Sequence, residues 1–405
     1  MKKTLLIIQL FLVLQLYSQN QTVEETVLFL SQDSLNGRLV GTESERKSAD
    51  YLEGIFKNLG LEPLFNNSYQ TEFETEYNIN PHSTSNREVI KIKGRNVSAY
   101  LNNHASKTFV IGAHYDHIGR NEYNQSLSPE LKNQIHNGAD DNASGVAAVI
   151  ELARSLISNN EIENANYIFV CFSGEEIGLI GSKDFVKSLK SKQKVDLMIN
   201  MDMIGRMDSL NNLYVGGVGT SKVFGDILFK EKPNDFKLVI DSSGVGPSDH
   251  TSFYLDSIPV LFFYTGAHSD YHKPSDDFEK IKFDELKRII LYIENVTSKL
   301  ENEPTIPFRK SGSTSQTKSS FKVTLGILPN YSNSVTGLLI DAVTEGKTAM
   351  KAGLEAGDII IKIGKFKIKD IYDYMECLSK LEKGDTITIT VKRKESIIKK
   401  KVKLL

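Results

Sequence analysis

The feature that most constrains this chain is a series of short apolar segments separated by stretches with helical spacing. In order they are "TFVIGA", "ANYIFVCFS", "VDLMINMDM" and "IPVLFFYTG", with the helix-patterned "SGVAAVIELARSLIS" between the first two. An antiparallel strand that faces water on one side alternates apolar and polar residues. Strands that are apolar throughout are buried on both faces, and intervening helices supply the cover. The pattern therefore predicts an α/β sandwich. Upstream, "RKSADYLEGIFKNLGLEP" predicts a helix that stops at Gly60 and Pro63.

Near residue 300 the texture changes. "ENEPTIPFRKSGSTSQTKSS" is rich in Ser, Thr and Lys and reads as a linker over 301–320. Beyond it, "GLLIDAV", "DIIIKIGKFKI" and "TITITVKRK" surround "AMKAGLEAGD", which predicts a small β-rich domain over 321–405. The closing "VKRKESIIKKKVKL" reads as a solvated edge strand whose lysines oppose aggregation. At the other end, two lysines precede an apolar run in "MKKTLLIIQLFLVLQLYSQ". That is the pattern of a secretory signal peptide over 1–19 rather than of a membrane span, and it predicts a secreted or periplasmic protein with no transmembrane span after its removal. The larger domain is then 20–300.

The net charge of −2 conceals an asymmetry, because the residues from Arg309 onward carry 19 basic and 10 acidic side chains. The larger domain is therefore acidic, which excludes nucleic acid as its main partner, since phosphate binding needs clustered positive charge. With only two cysteines, Cys171 in an apolar run and Cys377 far downstream, no disulfide framework is expected.

Acids and histidines fall where the apolar segments end. "TFVIGA" runs into "HYDH", beginning at His114; "FVCFSG" runs into Glu175 and Glu176; "LMIN" stops just before Asp202; "IPVLFFYTGAHSDYHKPSDD" delivers His272. In open α/β sheets ligands bind beyond the carboxyl ends of the strands, so these segments converge on one place. "HNGADDNASG" adds Asp140 and Asp141 at the start of the Ser144–Ser158 helix. Adjacent carboxylates at a buried strand end repel unless a cation holds them. Two imidazoles with three or more carboxylates suit zinc, suit cobalt or manganese less, and suit calcium poorly. Carboxylates outnumber imidazoles, so two metals sharing a bridging carboxylate explain the set better than one. One glutamate of the pair then binds metal and the other handles a proton. His82, His104, His117, His136 and His268 read as surface or loop histidines, with His117 and His136 the exceptions to watch because they flank ligands.

The motifs "GAHYDH", "NGADDNASG", "FSGEEIGLIGS", "NMDMIG", "PSDHTSFY" and "YHKPSDD", in that order over roughly residues 30–300, resemble the co-catalytic zinc aminopeptidase family, which is related to glutamate carboxypeptidase and glutaminyl cyclase. The resemblance implies a three-layer α/β/α sandwich with a mixed, largely parallel sheet, and two zinc ions per chain. By the same resemblance, His114 and Asp202 complete one zinc, Glu176 and His272 the other, and Asp141 bridges. Glu175 is then the general base, and Asp116 the acceptor that orients His114. "PSDHTSF" places Asp249 and His250 near the site. Val245 stands where some members carry an oxyanion-binding tyrosine, so that role is open among zinc, His250 and Tyr264. No long protease-associated insert fits between the early strands. The C-terminal part resembles a PDZ domain, with Leu325, Gly326 and Ile327 in "TLGILP" as its carboxylate-binding loop and a peptide C-terminus as its ligand.

The implied activity is an exported zinc exopeptidase, an aminopeptidase acting on peptide substrates. Glutaminyl cyclase-like, carboxypeptidase or dipeptidase activity on the same fold stays open beside it, as does a non-catalytic peptide-binding scaffold.

Overall fold

A chain segment buried on two faces must present a different apolar surface to each. In "TFVIGAH", Phe109, Ile111 and Ala113 enter one hydrophobic core while Val110 enters another; in "NYIFVCF", Tyr167, Phe169 and Cys171 face the first core and Ile168, Val170 and Phe172 the second. Every residue of both segments is buried. The computed structural model in which this is seen describes residues 22–404 except 66, 79–88, 124, 127–130, 132, 160, 191–192, 267, 312–322, 330–335, 344–346, 370–372, 375–376, 379 and 395. The signal-peptide segment lies outside the described residues.

The N-terminal unit runs α1 (Val23–Leu30), α2 (Glu43–Asn58), β1 (Glu62–Pro63), β2 (Gln70–Asn78), β3 (Val89–Leu101), β4 (Thr108–His114), α3 (Gly145–Ser158), β5 (Asn166–Phe172), α4 (Ile180–Lys190), β6 (Leu197–Met201), β7 (Asn212–Gly216), α5 (Phe224–Glu231), β8 (Lys237–Ile240), α6 (His250–Leu255), β9 (Val260–Tyr264) and α7 (Phe283–Glu301). The predicted early helix is α2: Thr42 caps its start by accepting from the Glu45 backbone, and Gly60, at φ +76°, takes the left-handed turn that ends it.

Nine strands form one sheet in the order β1-β3-β5-β4-β6-β9-β7-β8, with β2 on β3. Parallel pairing joins the central β5, β4, β6 and β9 and the outer β7 and β8, while β3 meets β5 and β7 meets β9 antiparallel. One core packs α1, α2, α3, α5 and α7 on one face of the sheet, and a second packs α4 and α6 on the other. The result is a three-layer sandwich with a mixed sheet whose parallel centre carries the residues of interest at its carboxyl edge.

The expected linker begins later than 301. Glu301 closes α7, Ile306 is buried in the larger core, and Phe308 packs on Tyr254. Arg309 donates from its backbone to Thr220 and from Nε to Gly219, and Ser311 joins Gly244 and the Tyr254 hydroxyl. Sparse apolar side chains in a polar sequence are enough to anchor this stretch through Ser311; the remainder of the expected linker lies outside the described residues.

The C-terminal unit has its own core around Leu325, Ile340, Ile360, Ile389 and Val391. Its elements are β10 (Ile327–Pro329), β11 (Leu338–Val343), α8 (Thr348–Lys351), β12 (Ile359–Ile363), β13 (Phe366–Lys367), β14 (Thr386–Arg393) and β15 (Ser396–Lys403). The sheet order is β10-β11-β12-β14-β15, which leaves the lysine-rich β15 at an edge as its composition predicts. Cys171 and Cys377 are buried thiols, one in each unit, with no disulfide between them. Among the described residues no helix is long and apolar enough to cross a membrane.

Candidate metal centre

β4 ends at His114, and β6 stops one residue before Asp202, whose backbone donates to Phe263 on β9 at 3.1 Å. The two side chains meet there: His114 Nε2 lies 3.3 Å from Asp202 Oδ1 and 3.3 Å from Asp141 Oδ1. On the other side, His272 Nε2 lies 3.3 Å from Asp141 Oδ2 and 3.1 Å from Glu176 Oε2. Asp141 thus turns one oxygen toward each imidazole, and all five side chains that the sequence points to come together.

The loop that carries Asp141 is held from several directions. Asn142 donates from Nδ2 to Met201 O at 3.0 Å and accepts from the backbones of Gly145 and Met203, which ties the loop to the end of β6. Asp276 accepts from the backbones of Asp140 and Asp141, and Asp140 Oδ1 from Gly205 at 2.6 Å. The peptide between Asp141 and Asn142 is cis. Arg38, fully buried, donates from Nε to Tyr115 O at 2.7 Å and from Nη2 to Gly138 O at 3.1 Å, with Nη1 on Leu30 O and Asn137 O. It ties this loop to the end of β4. Sequence reasoning passed Arg38 over, and "NGRLVGT" carries no ligand-like pattern that would have marked it.

The tautomers of both imidazoles follow from their other nitrogens. His114 Nδ1 lies 3.1 Å from Asp116 O, and His272 Nδ1 lies 3.1 Å from Gln125 O. A carbonyl only accepts, so each Nδ1 carries a proton, which leaves Nε2 on each ring as the nitrogen that faces the carboxylates and that a metal would take. The acceptor that Asp116 offers His114 is its backbone carbonyl; its carboxylate stands 3.8 Å from Nδ1, outside hydrogen-bond range. The carboxylate instead accepts from the Glu175 backbone at 3.2 Å.

These donors fit zinc. Tetrahedral bonds of about 2.0–2.1 Å place ligand atoms about 3.3 Å apart, the separation found on both sides of Asp141. The electrostatics also call for a cation. Burial disfavours a charged imidazole at His114, yet Asp202 and Glu175 outweigh it and raise its pKa well above the usual value; at His272, Glu176 and Asp141 do the same. Glu175 stands apart from the ligands. Burial, with repulsion from Glu176 and Asp202 added against the pull of His114, pushes its carboxyl well above the usual range. A carboxyl whose pKa is raised is a stronger base than an ordinary one.

A cavity of about 840 Å³ opens beside these residues. His250 stacks on Phe262 at 4.4 Å, Phe262 on Tyr264 at 5.1 Å, and Tyr264 meets Tyr214 at 4.9 Å, which gives the cavity an aromatic wall. Val245 lines it too. Burial lowers the His250 pKa to about 3 and raises that of Tyr264 to about 12, so both side chains are neutral at physiological pH. Asp249 is buried and does not line the cavity. His268 lies in a loop, as expected, but it also lines the cavity, with Nε2 3.1 Å from Asp140 Oδ2 of a segment more than a hundred residues away in sequence. His117 and His136 are buried as well, while His104 is exposed and His82 lies outside the described residues.

In the C-terminal unit, the backbone of Gly326 donates to Thr324 Oγ1 at 3.1 Å, and Leu325 O accepts from Ala349. Ile327 opens β10, which pairs with β11.

Residues 96–297 match the family model described as peptidase family M28, and residues 313–404 match that of a PDZ domain. Among curated proteins, the chain is 30% identical over 181 residues to a probable leucine aminopeptidase of Trichophyton verrucosum, covering 42% of this chain and 46% of that one. It is 28% identical over 237 residues to another of Arthroderma benhamiae, covering 52% and 60%. The chain thus spans about half the length of the curated relatives it matches. Among solved structures, an aminopeptidase from Aneurinibacillus sp. superposes with a TM-score of 0.53 at 18% identity, covering 71% of this chain and 94% of that one. A zinc aminopeptidase from Bacillus subtilis does so at 0.55 and 16%, covering 69% and 95%. At these identities the likeness establishes a shared fold.

Proposed function

Because the chain carries a peptidase family M28 domain followed by a PDZ domain, we propose that it is an exported zinc-dependent exopeptidase, an aminopeptidase that hydrolyses the N-terminal peptide bond of peptides. One observation carries this reading. Two imidazoles, each with its proton held on a backbone carbonyl, turn their free nitrogens to carboxylates at 3.1–3.3 Å on either side of Asp141, with a further carboxyl of raised pKa beside them.

In this reading His114 and Asp202 would hold one zinc, Glu176 and His272 the other, with Asp141 shared between them. Bound there, the ions would supply Lewis acidity toward the scissile carbonyl and acidify the attacking water. Glu175 is the side chain placed to accept a proton from that water and to return it to the departing amine. Asp116 acts on both partners: its carbonyl fixes the His114 tautomer, and its carboxylate holds the backbone of Glu175. The aromatic wall receives the side chain of the N-terminal residue. His250 and Tyr264, neutral and on the cavity wall, are our candidates to donate to the developing oxyanion; Val245 has no donor to give. The PDZ unit would take a peptide C-terminus along the outer edge of β10, at the loop of Leu325, Gly326 and Ile327.

The test is a panel of peptides offered with free or acetylated N-termini, including a glutaminyl peptide, each with and without chelator. Chelator-sensitive release of the first residue from free N-termini alone is expected. Cleavage of acetylated peptides from the C-terminus, or pyroglutamate from the glutaminyl peptide, would replace the aminopeptidase reading.

A further inference from the structure

The motif that supplies His114 ends in a second imidazole, His117, which is assigned no role above. His117 is fully buried. Its ring packs directly on Gly138, where a Cβ would lie 2.6 Å from Cγ and Cδ2, and stands edge-on to His272 with centroids 5.7 Å apart. Nδ1 lies 2.6 Å from Glu176 Oε1 and 3.9 Å from Asp141 Oδ2. Nε2 is buried with no hydrogen-bond partner among the described residues. An ionised carboxylate only accepts, so Nδ1 donates.

The two oxygens of Glu176 are therefore divided. Oε1 is held by His117, and Oε2 faces His272 Nε2 at 3.1 Å. We propose that His117 is a positioning residue for the metal on the His272 side: by occupying Oε1 it fixes the rotation of the carboxylate and makes Glu176 a single-oxygen ligand through Oε2. Among the described residues no second imidazole serves Asp202 in this way. His117 is thus expected to act on one half of the centre, and this role rests on the two-zinc reading given above. Partners that orient a ligating side chain typically contribute 10–100-fold to metal affinity.

The experiment is calorimetric titration of zinc chloride into metal-free, full-length protein. Wild type is expected to show two sites. His117→Ala should weaken one of them 10–100-fold and leave the other in place, and His117→Asn, whose amide nitrogen can stand where Nδ1 stood, should recover most of the loss. If the alanine variant does not fold, His117→Gln, which keeps a donor but displaces it, replaces it in the comparison. Unchanged affinity at both sites, or an equal loss at both with no recovery by Asn, would overturn the assignment. A wild-type protein that takes up no zinc would fail differently, by removing the metal centre itself.

Discussion

Burial leaves His250 neutral, with its pKa pushed down to about 3 and its ring stacked on Phe262. In the unfolded chain the same side chain titrates near its ordinary value of about 6.5. Below that pH the unfolded state binds a proton that the native state refuses, so stability falls as pH drops. From pH 6.5 to pH 5 this one group accounts for about 1.6 kcal/mol. Denaturant midpoints at pH 7, 6 and 5 should show His250→Gln with a shallower decline than wild type; equal declines would assign the acid sensitivity to other groups. At this scale a cation site was legible in sequence, because acids and histidines at the ends of wholly apolar strands have few physical explanations other than a cation; which of Asp140 and Asp141, and of Glu175 and Glu176, takes which part was implied only by the family resemblance. What orients them was not legible. The carbonyls of Asp116 and Gln125 fix the two tautomers, and a carbonyl belongs to every residue type, so no pattern of letters marks it. Apart from Leu30, the partners of Arg38, His117 and His268 lie tens to more than a hundred residues away, beyond the reach of any local period.

The loop between β4 and α3 is the element on which the centre depends. Gly138 opens it at φ +58°, and a Cβ there would lie 2.2 Å from Asp141 O as well as against His117. Gly138→Ala is expected to cost about 1–3 kcal/mol through the backbone conformation and to weaken zinc binding, since the displaced atoms belong to Asp141. Gly225, inside α5 with open space around it, is the control: alanine there should raise stability by about 1 kcal/mol. Urea midpoints and zinc titrations of the two variants check both signs, and a Gly138→Ala protein with wild-type midpoint and affinity would contradict this account of the loop. Element types were well marked in sequence, from the apolar strands to the lysine-rich edge strand β15. Pairing direction was marked less well. The parallel centre follows from helices between strands, but the antiparallel β3 and β7 are set by contacts with β5 and β9 that their own sequences do not announce. The packing of 303–311 escaped notice for a related reason, since Ile306 and Phe308 are single apolar residues in a polar stretch.

Across the whole molecule, two hydrophobic systems divide the labour: the sandwich, whose sheet delivers ligands to one edge, and a separate core built around β10 to β15. The chemistry is assigned to the first alone, and its central claim separates two roles for adjacent glutamates, Glu176 as ligand and Glu175 as base. Zinc per chain, measured together with turnover of an aminoacyl-nitroanilide in wild type and Glu175→Gln, tests that claim most directly. The account predicts two zincs in both proteins and turnover lowered about 10²–10⁴-fold in the variant. Near-native turnover in Glu175→Gln, or a wild-type enzyme that hydrolyses the substrate without zinc, would contradict it.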